Sequence, residues 1–151
     1  MKKGMAMLIA FAVLAAGGAA WADTNTLTVQ ASVLGTCRFS SSTSTLSFGA
    51  LDPSVGTDVS GSTTTNYWCT KGVTALITPG LGEHPVGTTR QMIDIGSGDL
   101  IPYSLTFAGS GTPAGPGSPL TLTITGNVLG TDYISKSAGG YSDTVLITLA
   151  P

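Results

Sequence analysis

The 151-residue sequence predicts an all-β domain built as an antiparallel sandwich. Three observations support this prediction. Short runs rich in β-branched residues alternate apolar and polar side chains, as half-buried strands do, because successive residues of a strand point to opposite faces. Turns rich in Gly, Pro and Ser separate these runs, and no stretch shows helical periodicity or caps. A hydrophobic content of 42% with a net charge of only −2 also disfavours disorder.

The first 22 residues are predicted to be a secretory signal peptide and not part of the fold. Two lysines precede an apolar run over 5–16, and the small-x-small pattern over 20–22 is the form that signal peptidase accepts. Cleavage after Ala22 would leave Asp23 as the N-terminus of a single domain, since removing 22 of 151 residues leaves 129. A membrane anchor is disfavoured because the apolar run is shorter than the roughly 20 residues that a spanning helix needs.

The first strand of the mature chain is predicted over residues 26–34. Leu27, Val29, Ala31 and Val33 fall on one face, and the residues between them are polar. From the pattern alone, the favoured interpretation is the first strand of the chain's own sandwich. The other interpretation is a strand donated to a neighbouring copy, and the alternation is the same in both cases.

Six further runs are predicted as strands, and with the first they make seven, which is typical of an antiparallel sandwich of immunoglobulin-like type. They cover residues 46–49, 63–70, 73–78, 100–107, 120–125 and 141–149. The second and third of these six are expected to form a hairpin, because Lys71-Gly72 between them is a two-residue turn candidate. Pro102 indicates an edge or a strand start, since proline cannot donate to a ladder. Residues 128–134 are expected to be irregular or a short strand.

The two cysteines, Cys37 and Cys69, are expected to be oxidised in an exported chain. If both pair within the chain, only one connectivity exists. Closing a loop of about 30 residues would then stabilise the fold by roughly 3.5 kcal/mol in the chain-entropy model. If Cys69 is buried in this way, Tyr67 points inward with it and Trp68 points outward.

Composition argues against binding nucleic acid and against catalysis. The predicted mature chain has four strong cations against eight carboxylates, a net charge of −4 that does not attract phosphate backbones. The one histidine, His84, lies in a Gly/Pro-rich loop, and the sequence has no Gly-x-Ser-x-Gly elbow and no Cys-x-x-Cys spacing. Asp94 and Asp99 are expected to be solvated turn residues, and an outward Trp68 is weak evidence for a sugar-binding module. The sequence therefore predicts no enzyme, no metal and no cofactor.

Several short motifs occur in a characteristic order along the mature chain. They are Gly-Thr-Cys (35–37), Leu-Ser-Phe-Gly (46–49) with Asp52-Pro53, Tyr-Trp-Cys-Thr-Lys-Gly (67–72), Arg90-Gln91-Met92, Leu-Ile-Pro-Tyr-Ser-Leu (100–105) and Gly-Tyr-Ser-Asp-Thr-Val (140–145). In this order and spacing, the mature chain resembles the spore coat protein U domain family, which includes the shaft subunits of archaic chaperone–usher pili.

The resemblance implies an incomplete immunoglobulin-like sandwich of about six core strands, which lacks its last strand and exposes an apolar groove. A periplasmic chaperone would first fill that groove. At the outer-membrane usher, the N-terminal strand of the next subunit, identical or related, would replace the chaperone's strand. Residues 23–34 would hold this donor strand, with Leu27, Val29, Ala31 and Val33 as the donor side chains. The domain would cover 35–151, and Cys37 and Cys69 would tie its first strand to its second.

The expected function is a structural subunit of a cell-surface pilus that supports adhesion or biofilm formation. Such a subunit is exported, passes through the periplasm and ends in the extracellular pilus. The alternative is a secreted coat or cell-surface protein of the same fold that does not polymerise. In that case the strand over 26–34 pairs within its own sandwich.

Overall fold

A computed structural model describes residues 21–151, and residues 1–20, which hold most of the predicted signal peptide, lie outside the described residues. The described part contains eight strands and one helical turn. In chain order they are β1 (Cys37–Phe39), β2 (Val59–Cys69), β3 (Leu76–Pro79), β4 (Arg90–Asp94), β5 (Leu100–Gly109), β6 (Leu120–Val128), α1 (Gly130–Tyr133), β7 (Tyr141–Ser142) and β8 (Ile147–Ala150). The all-β prediction is confirmed. Among the described residues, no helix has the length and apolar character needed to cross a membrane.

The strands form two antiparallel sheets. The larger sheet has six strands in the order β1-β2-β6-β5-β4-β7, and the smaller sheet pairs β3 with β8. The longest pairing joins β2 to β6, from Val59 opposite Val128 to Tyr67 opposite Leu120. Buried and more exposed side chains alternate along both strands. This alternation fixes the register, because a one-residue slip would turn the buried side chains outward.

Two apolar clusters fill the sandwich. The first consists of the buried residues Tyr67, Cys69, Leu122 and Ile124, against which Ile77 of β3 and Ile147 and Leu149 of β8 pack. The first cluster therefore joins the larger sheet to the smaller one. The second cluster consists of Ile101, Tyr103, Val128 and Tyr133. Tyr67 is 4% exposed and Cys69 is fully buried, so the predicted inward direction of Tyr67 is confirmed.

The outer face of the larger sheet is polar and carries no charge along its three central strands. The outward polar side chains are Ser60, Ser62, Thr64 and Asn66 of β2, Thr121, Thr123, Thr125 and Asn127 of β6, and Ser104 and Thr106 of β5. Trp68 of β2 and Pro102 and Ala108 of β5 lie on the same face. They bond across the strands: the Thr121 hydroxyl donates to Asn66 Oδ1 (3.2 Å), and the Asn127 amide donates to Ser60 Oγ (3.1 Å). Such cross-strand pairs are the unit by which a sheet is stabilised.

The strand predicted over residues 26–34 is not formed in the described structure, and three further strand predictions differ from it. The predicted hairpin over 63–78 is wrong, because β2 and β3 belong to different sheets. Lys71 and Gly72 do form a turn, in which Gly72 has φ +81° and the Val73 amide donates to the Thr70 carbonyl, but this turn leads the chain to the smaller sheet. The predicted last strand is divided into β7 on the larger sheet and β8 on the smaller one. Residues 46–49 belong to no strand.

The single helical turn, Gly130–Tyr133, lies where the sequence predicts irregular structure or a short strand. Two hydrogen bonds from residues distant in the sequence hold this turn in place. Asp58 Oδ1 accepts from the Gly130 amide (2.9 Å), and the Tyr133 hydroxyl donates to the Thr57 carbonyl (2.6 Å). A Cβ at position 130 would lie 1.9 Å from the Gly56 carbonyl oxygen, so only glycine allows this approach. The turn was missed because its determinants are about 70 residues away in the sequence.

Pro102 lies in β5 where that strand has one neighbour. Residues 100–103 of β5 pair with β4, whereas residues 104–109 pair with β6. On the side away from β4, Pro102 therefore has no strand partner among the described residues, and its missing N–H leaves no gap in a ladder. This agrees with the expectation of an edge position.

Candidate functional site

An open groove runs between the chain before β2 and the chain leading into β8. It consists of two adjoining cavities of about 560 and 450 Å³, which share Leu46 as a lining residue. One wall is formed by residues 39–53, and the other by residues 133–147. Residues 41–51 and 143–146 belong to no strand in the described part of the chain, although the Leu146 carbonyl accepts from the Gly80 amide (2.8 Å). Each wall thus presents backbone that an added strand could pair with.

The floor and walls of the groove are apolar and only partly covered. Phe39, Leu46 and Ile147 pack against the first core cluster, and Phe48 and Val145 pack against the second, yet all five remain half-buried. Between Leu46 and Phe48, Ser47 points outward, so the alternation of a strand is kept although no strand pairs there. The sandwich is therefore incomplete on this side, and its core side chains border the open space.

A pair of glycines lets the first wall lie close against the larger sheet. Gly61 of β2 faces Gly126 of β6 in the register. A Cβ on Gly126 would lie 2.7 Å from Phe48 Cζ and 3.1 Å from Leu46 Cδ2, and one on Gly61 would lie 2.4 Å from the Ser47 carbonyl oxygen. These distances are shorter than ordinary contacts, so larger residues would push the wall away from the sheet. A glycine inside a strand often marks such a close approach of backbone.

The second wall is held by a network around Asp143, at the point where the chain passes from β7 to β8. Asp143 Oδ2 accepts from the Tyr103 hydroxyl (2.5 Å), and Oδ1 accepts from the amides of Glu83 and Thr144 (both 2.8 Å). Burial, and then the adjacent Asp143 carboxylate, raise the pKa of Tyr103 well above its usual value, which keeps this hydroxyl a donor. The carboxylate thereby fixes both the wall and the loop that follows β3.

The loop after β3 brings three possible metal-ligand groups together. Ligand atoms of Glu83, His84 and Asp143 lie within 4.8 Å of one another. The Asp143 carboxylate already accepts three hydrogen bonds. The backbone of Gly82, with φ +87°, also lies against this carboxylate, since a Cβ at that position would be 2.0 Å from Oδ2. The geometry therefore explains the cluster as the packing of a loop on a carboxylate. His84 Nδ1 is buried and has no hydrogen-bond partner among residues 21–151.

The far end of the second wall is held by the turn between β4 and β5. Asp99 Oδ2 accepts from the Ser137 amide (2.8 Å), and the absence of a side chain at Gly139 lets the backbone approach the Asp94 carboxylate. Hydrogen bonds from the side chain and backbone of Ser97 lower the pKa of Asp94, and those from Ser137 lower the pKa of Asp99. Both turn acids thus help to hold the groove wall. The expectation that both are solvated is wrong for Asp94, which is buried because hydrogen bonds from Ser97 hold its carboxylate against the turn.

The predicted donor residues lie in an N-terminal segment, residues 23–34, which we call the arm. Leu27 and Val29 are each 82% exposed, Val33 is 86% exposed, and Ala31 is also exposed. No residue of the arm belongs to a strand in the described structure. Exposed aliphatic side chains at every second position are rarely left uncovered in an exported protein, because apolar patches promote association.

The root of the arm, residues 34–37, is held by a covalent bond and by four hydrogen bonds with Thr70, the longest of which runs from the Thr70 hydroxyl to the Thr36 carbonyl (3.4 Å). The Thr36 amide donates to Thr70 Oγ1 (3.1 Å), the Thr70 hydroxyl donates to the Leu34 carbonyl (3.1 Å), and the Thr70 amide donates to the Thr36 carbonyl (2.8 Å). The disulfide between Cys37 and Cys69 follows at once and joins β1 to β2, the first strands of the sandwich.

The structure brings some of the predicted site residues together and adds others. Cys37 and Cys69 are bonded as the cysteine count suggests. Leu27, Val29, Ala31 and Val33 stay donor candidates, and cleavage between Ala22 and Asp23 stays a prediction. Sequence reasoning missed Gly126, Thr70 and Asp143. A glycine that ends an alternating run was the one available signal, whereas nothing distinguishes Thr70 from the other threonines.

Comparison with known proteins defines the class first. A chain in the crystal structure of the CsuC–CsuE chaperone–tip adhesion subunit pre-assembly complex, from archaic chaperone–usher Csu pili of Acinetobacter baumannii, has a similar fold. The TM-score is 0.51 at 18% sequence identity, over 78% of this chain and 40% of that chain. The present chain thus spans well under half of that chain's length. The domain is an immunoglobulin-like sandwich that is open on one side.

The family follows from the sequence. The Spore Coat Protein U domain model matches residues 23–148, and the chain therefore belongs to the spore coat protein U domain family. No curated protein matches the sequence. The resemblance inferred from the motif order is confirmed.

Proposed function

We propose that the chain is a structural subunit of a cell-surface pilus, in which each copy inserts its arm into the groove of the next. The observation that supports this most strongly is that one chain carries both an open apolar groove and an exposed alternating strand. Addition of a strand to the groove would pair the free backbone of its walls and cover its apolar floor in one step, which is β-augmentation. Residues 23–34 and 35–151 would thus be donor strand and pilin domain.

The energy of this contact is large enough for a lasting assembly. Burying Leu27, Val29 and Val33 together with Ala31 contributes roughly 5–8 kcal/mol before the costs of ordering the arm. Ladder hydrogen bonds to both walls add to this. The contact joins two different surfaces of identical chains, so copies assemble head to tail, and such contacts form filaments when the rotation between copies does not close a ring.

The proposal includes an assembly route. Before polymerisation the groove needs a temporary occupant, because its half-buried side chains and free backbone would otherwise promote aggregation. A periplasmic chaperone would supply a strand for the groove, and an outer-membrane usher would exchange that strand for the arm of the next copy. The similar fold was solved within a complex of a chaperone and a pilus subunit. The filament would lie outside the cell and serve adhesion or biofilm formation as a non-enzymatic structure.

The experiment compares the mature chain that begins at Asp23 with a truncated chain that lacks residues 23–34. Light scattering and electron microscopy should show filaments for the first. The second should stay monomeric and gain stability from an added arm peptide. Val29→Ser should weaken assembly, whereas Gln30→Ser, a matched change on the polar face of the arm, should not. If the full chain stays a stable monomer even with a chaperone and usher, and truncation only destabilises it, the arm pairs within its own chain. The protein is then a non-polymerising coat or cell-surface protein.

A further inference from the structure

The side chain of Thr70 extends the contact between the arm root and the domain beyond the end of the β-ladder. Strand β1 begins at Cys37, opposite Cys69, and one further backbone bond joins Thr70 to Thr36. Beyond that point the backbone of β2 has turned away at Lys71 and Gly72. Only the Thr70 hydroxyl reaches the next two groups of the arm root, accepting from the Thr36 amide and donating to the Leu34 carbonyl.

The chain also passes close to the domain surface at this point. A Cβ on Gly35 would lie 3.2 Å from Val73 Cγ2 and 3.7 Å from Pro151 Cβ. The arm root is thus packed against Val73 on one side and the C-terminal residue on the other. Because the Leu34 carbonyl is bonded and Val33 is the last donor side chain, no free residue separates the donor segment from the anchored root.

We infer that Thr70 is a positioning residue that fixes the point and direction in which the arm leaves the domain, and through them the angle between successive subunits. This inference rests on the proposed function, since the angle has meaning only where the arm enters a second copy. A free tether of several residues would let neighbouring subunits pivot, because flexible linkers sample many directions. A donor segment joined directly to an anchored root does not allow this pivoting, so the filament is stiff at each junction.

The first test examines the anchor in the monomer. Thr70→Val keeps the shape of the side chain and the backbone bond to Thr36, but removes all three hydrogen bonds of the hydroxyl. Thr70→Ser keeps the hydroxyl and is the matched control. Hydrogen exchange at the Thr36 amide should be at least about fivefold faster in Thr70→Val than in the wild type, and unchanged in Thr70→Ser. Equal protection of this amide in all three proteins would overturn the inference.

The second test measures the filaments by electron microscopy. A Gly-Ser-Gly insertion between Val33 and Leu34 serves as a loosened tether. The persistence length should fall at least about twofold for the insertion and for Thr70→Val, and stay at the wild-type value for Thr70→Ser. Filaments of equal stiffness in all four proteins would refute the role of Thr70 while the pilus function stands. Protection of the Thr36 amide without any wild-type filament would refute the proposed function instead, and with it the role of Thr70 in setting the angle.

Discussion

The substitution Gly126→Ala tests whether the first wall of the groove rests on the glycine pair. The added methyl group would lie 2.7 and 2.9 Å from two atoms of the Phe48 ring and 3.1 Å from Leu46 Cδ2. Ordinary carbon contacts are about 3.5–4.0 Å, so the ring must move by roughly 0.8 Å or more. Overpacking of this kind costs about 1–3 kcal/mol. Because a methyl group also restricts the unfolded chain, which returns about 0.4–1 kcal/mol, the expected net loss is about 1–2 kcal/mol.

Urea unfolding of the mature chain measures this loss against a matched substitution. Gly117→Ala adds the same methyl group at a position where no atom of a non-adjacent described residue lies within 4 Å and φ is outside the left-handed region. That variant should be neutral or more stable by up to about 1 kcal/mol, through the unfolded state alone. If Gly126→Ala and Gly117→Ala give equal midpoints and slopes, the first wall does not rest on the glycine pair and the packing argument is refuted.

A double variant shows whether the loss comes from the Phe48 ring. Phe48→Leu creates space beside position 126, so Gly126→Ala should cost less in that background than in the wild type. A coupling energy of about 0.5 kcal/mol or more is expected for residues in direct contact. Binding of the arm peptide should weaken in parallel, because the wall of the groove moves with the ring. Additive effects of the two substitutions would place the cause elsewhere.

Three further predictions concern the bonds that hold the groove walls and the arm root. Tyr103→Phe removes one bond to a wall carboxylate and should cost about 1–2 kcal/mol at pH 7. The pKa of Tyr103 is raised by folding, so this contribution is complete below about pH 10 and declines at higher pH, and a constant difference between the variants up to pH 12 would contradict it. Asp94→Asn should reduce the loss of stability at acid pH. The lowered pKa of Asp94 gives a contribution to folding that is present above about pH 4 and is lost on acidification. Urea midpoints between pH 2 and 7 measure this loss, and an equal loss in the variant and the wild type would count against the prediction. Replacing Cys37 and Cys69 together by alanine should lower the free energy of unfolding by about 3–4 kcal/mol in denaturant titrations, and a loss under 1 kcal/mol would show that the loop is already restricted in the unfolded chain.

Strands were predictable from the sequence where the alternation is long and local. The runs that became β5 and β6, and the C-terminal half of β2, show a clear period of two. Sheet membership was not predictable, because it depends on contacts far away in the sequence. Lys71 and Gly72 make the turn that their types indicate, but whether the next strand pairs back or crosses to the other sheet is decided by its pairing with β8, about 70 residues later.

In the candidate site, too, the features with a signal in the sequence were predictable, and those that depend on distant contacts were not. The disulfide was predictable from composition, because Cys37 and Cys69 are the only cysteines of the chain. The alternation of Leu46 and Phe48 is a local signal, and it marks a strand-like wall. The alternation could not say that this wall lacks a partner strand, since paired and unpaired strands share one pattern. Asp143 gave no sign of its role, because its partners Tyr103 and Glu83 are 40 and 60 residues away.

The uncharged Ser/Thr/Asn face on β2, β6 and β5 has a consequence for how the protein responds to salt. Surface charges that repel neighbouring copies lose much of their effect once the Debye length falls below about 10 Å, at roughly 0.1 M salt. The hydroxyl and amide groups of this face bind water and each other and offer salt no charge to screen. The hydrogen bonds along this face will therefore keep nearly the same strength in fresh water as in sea water.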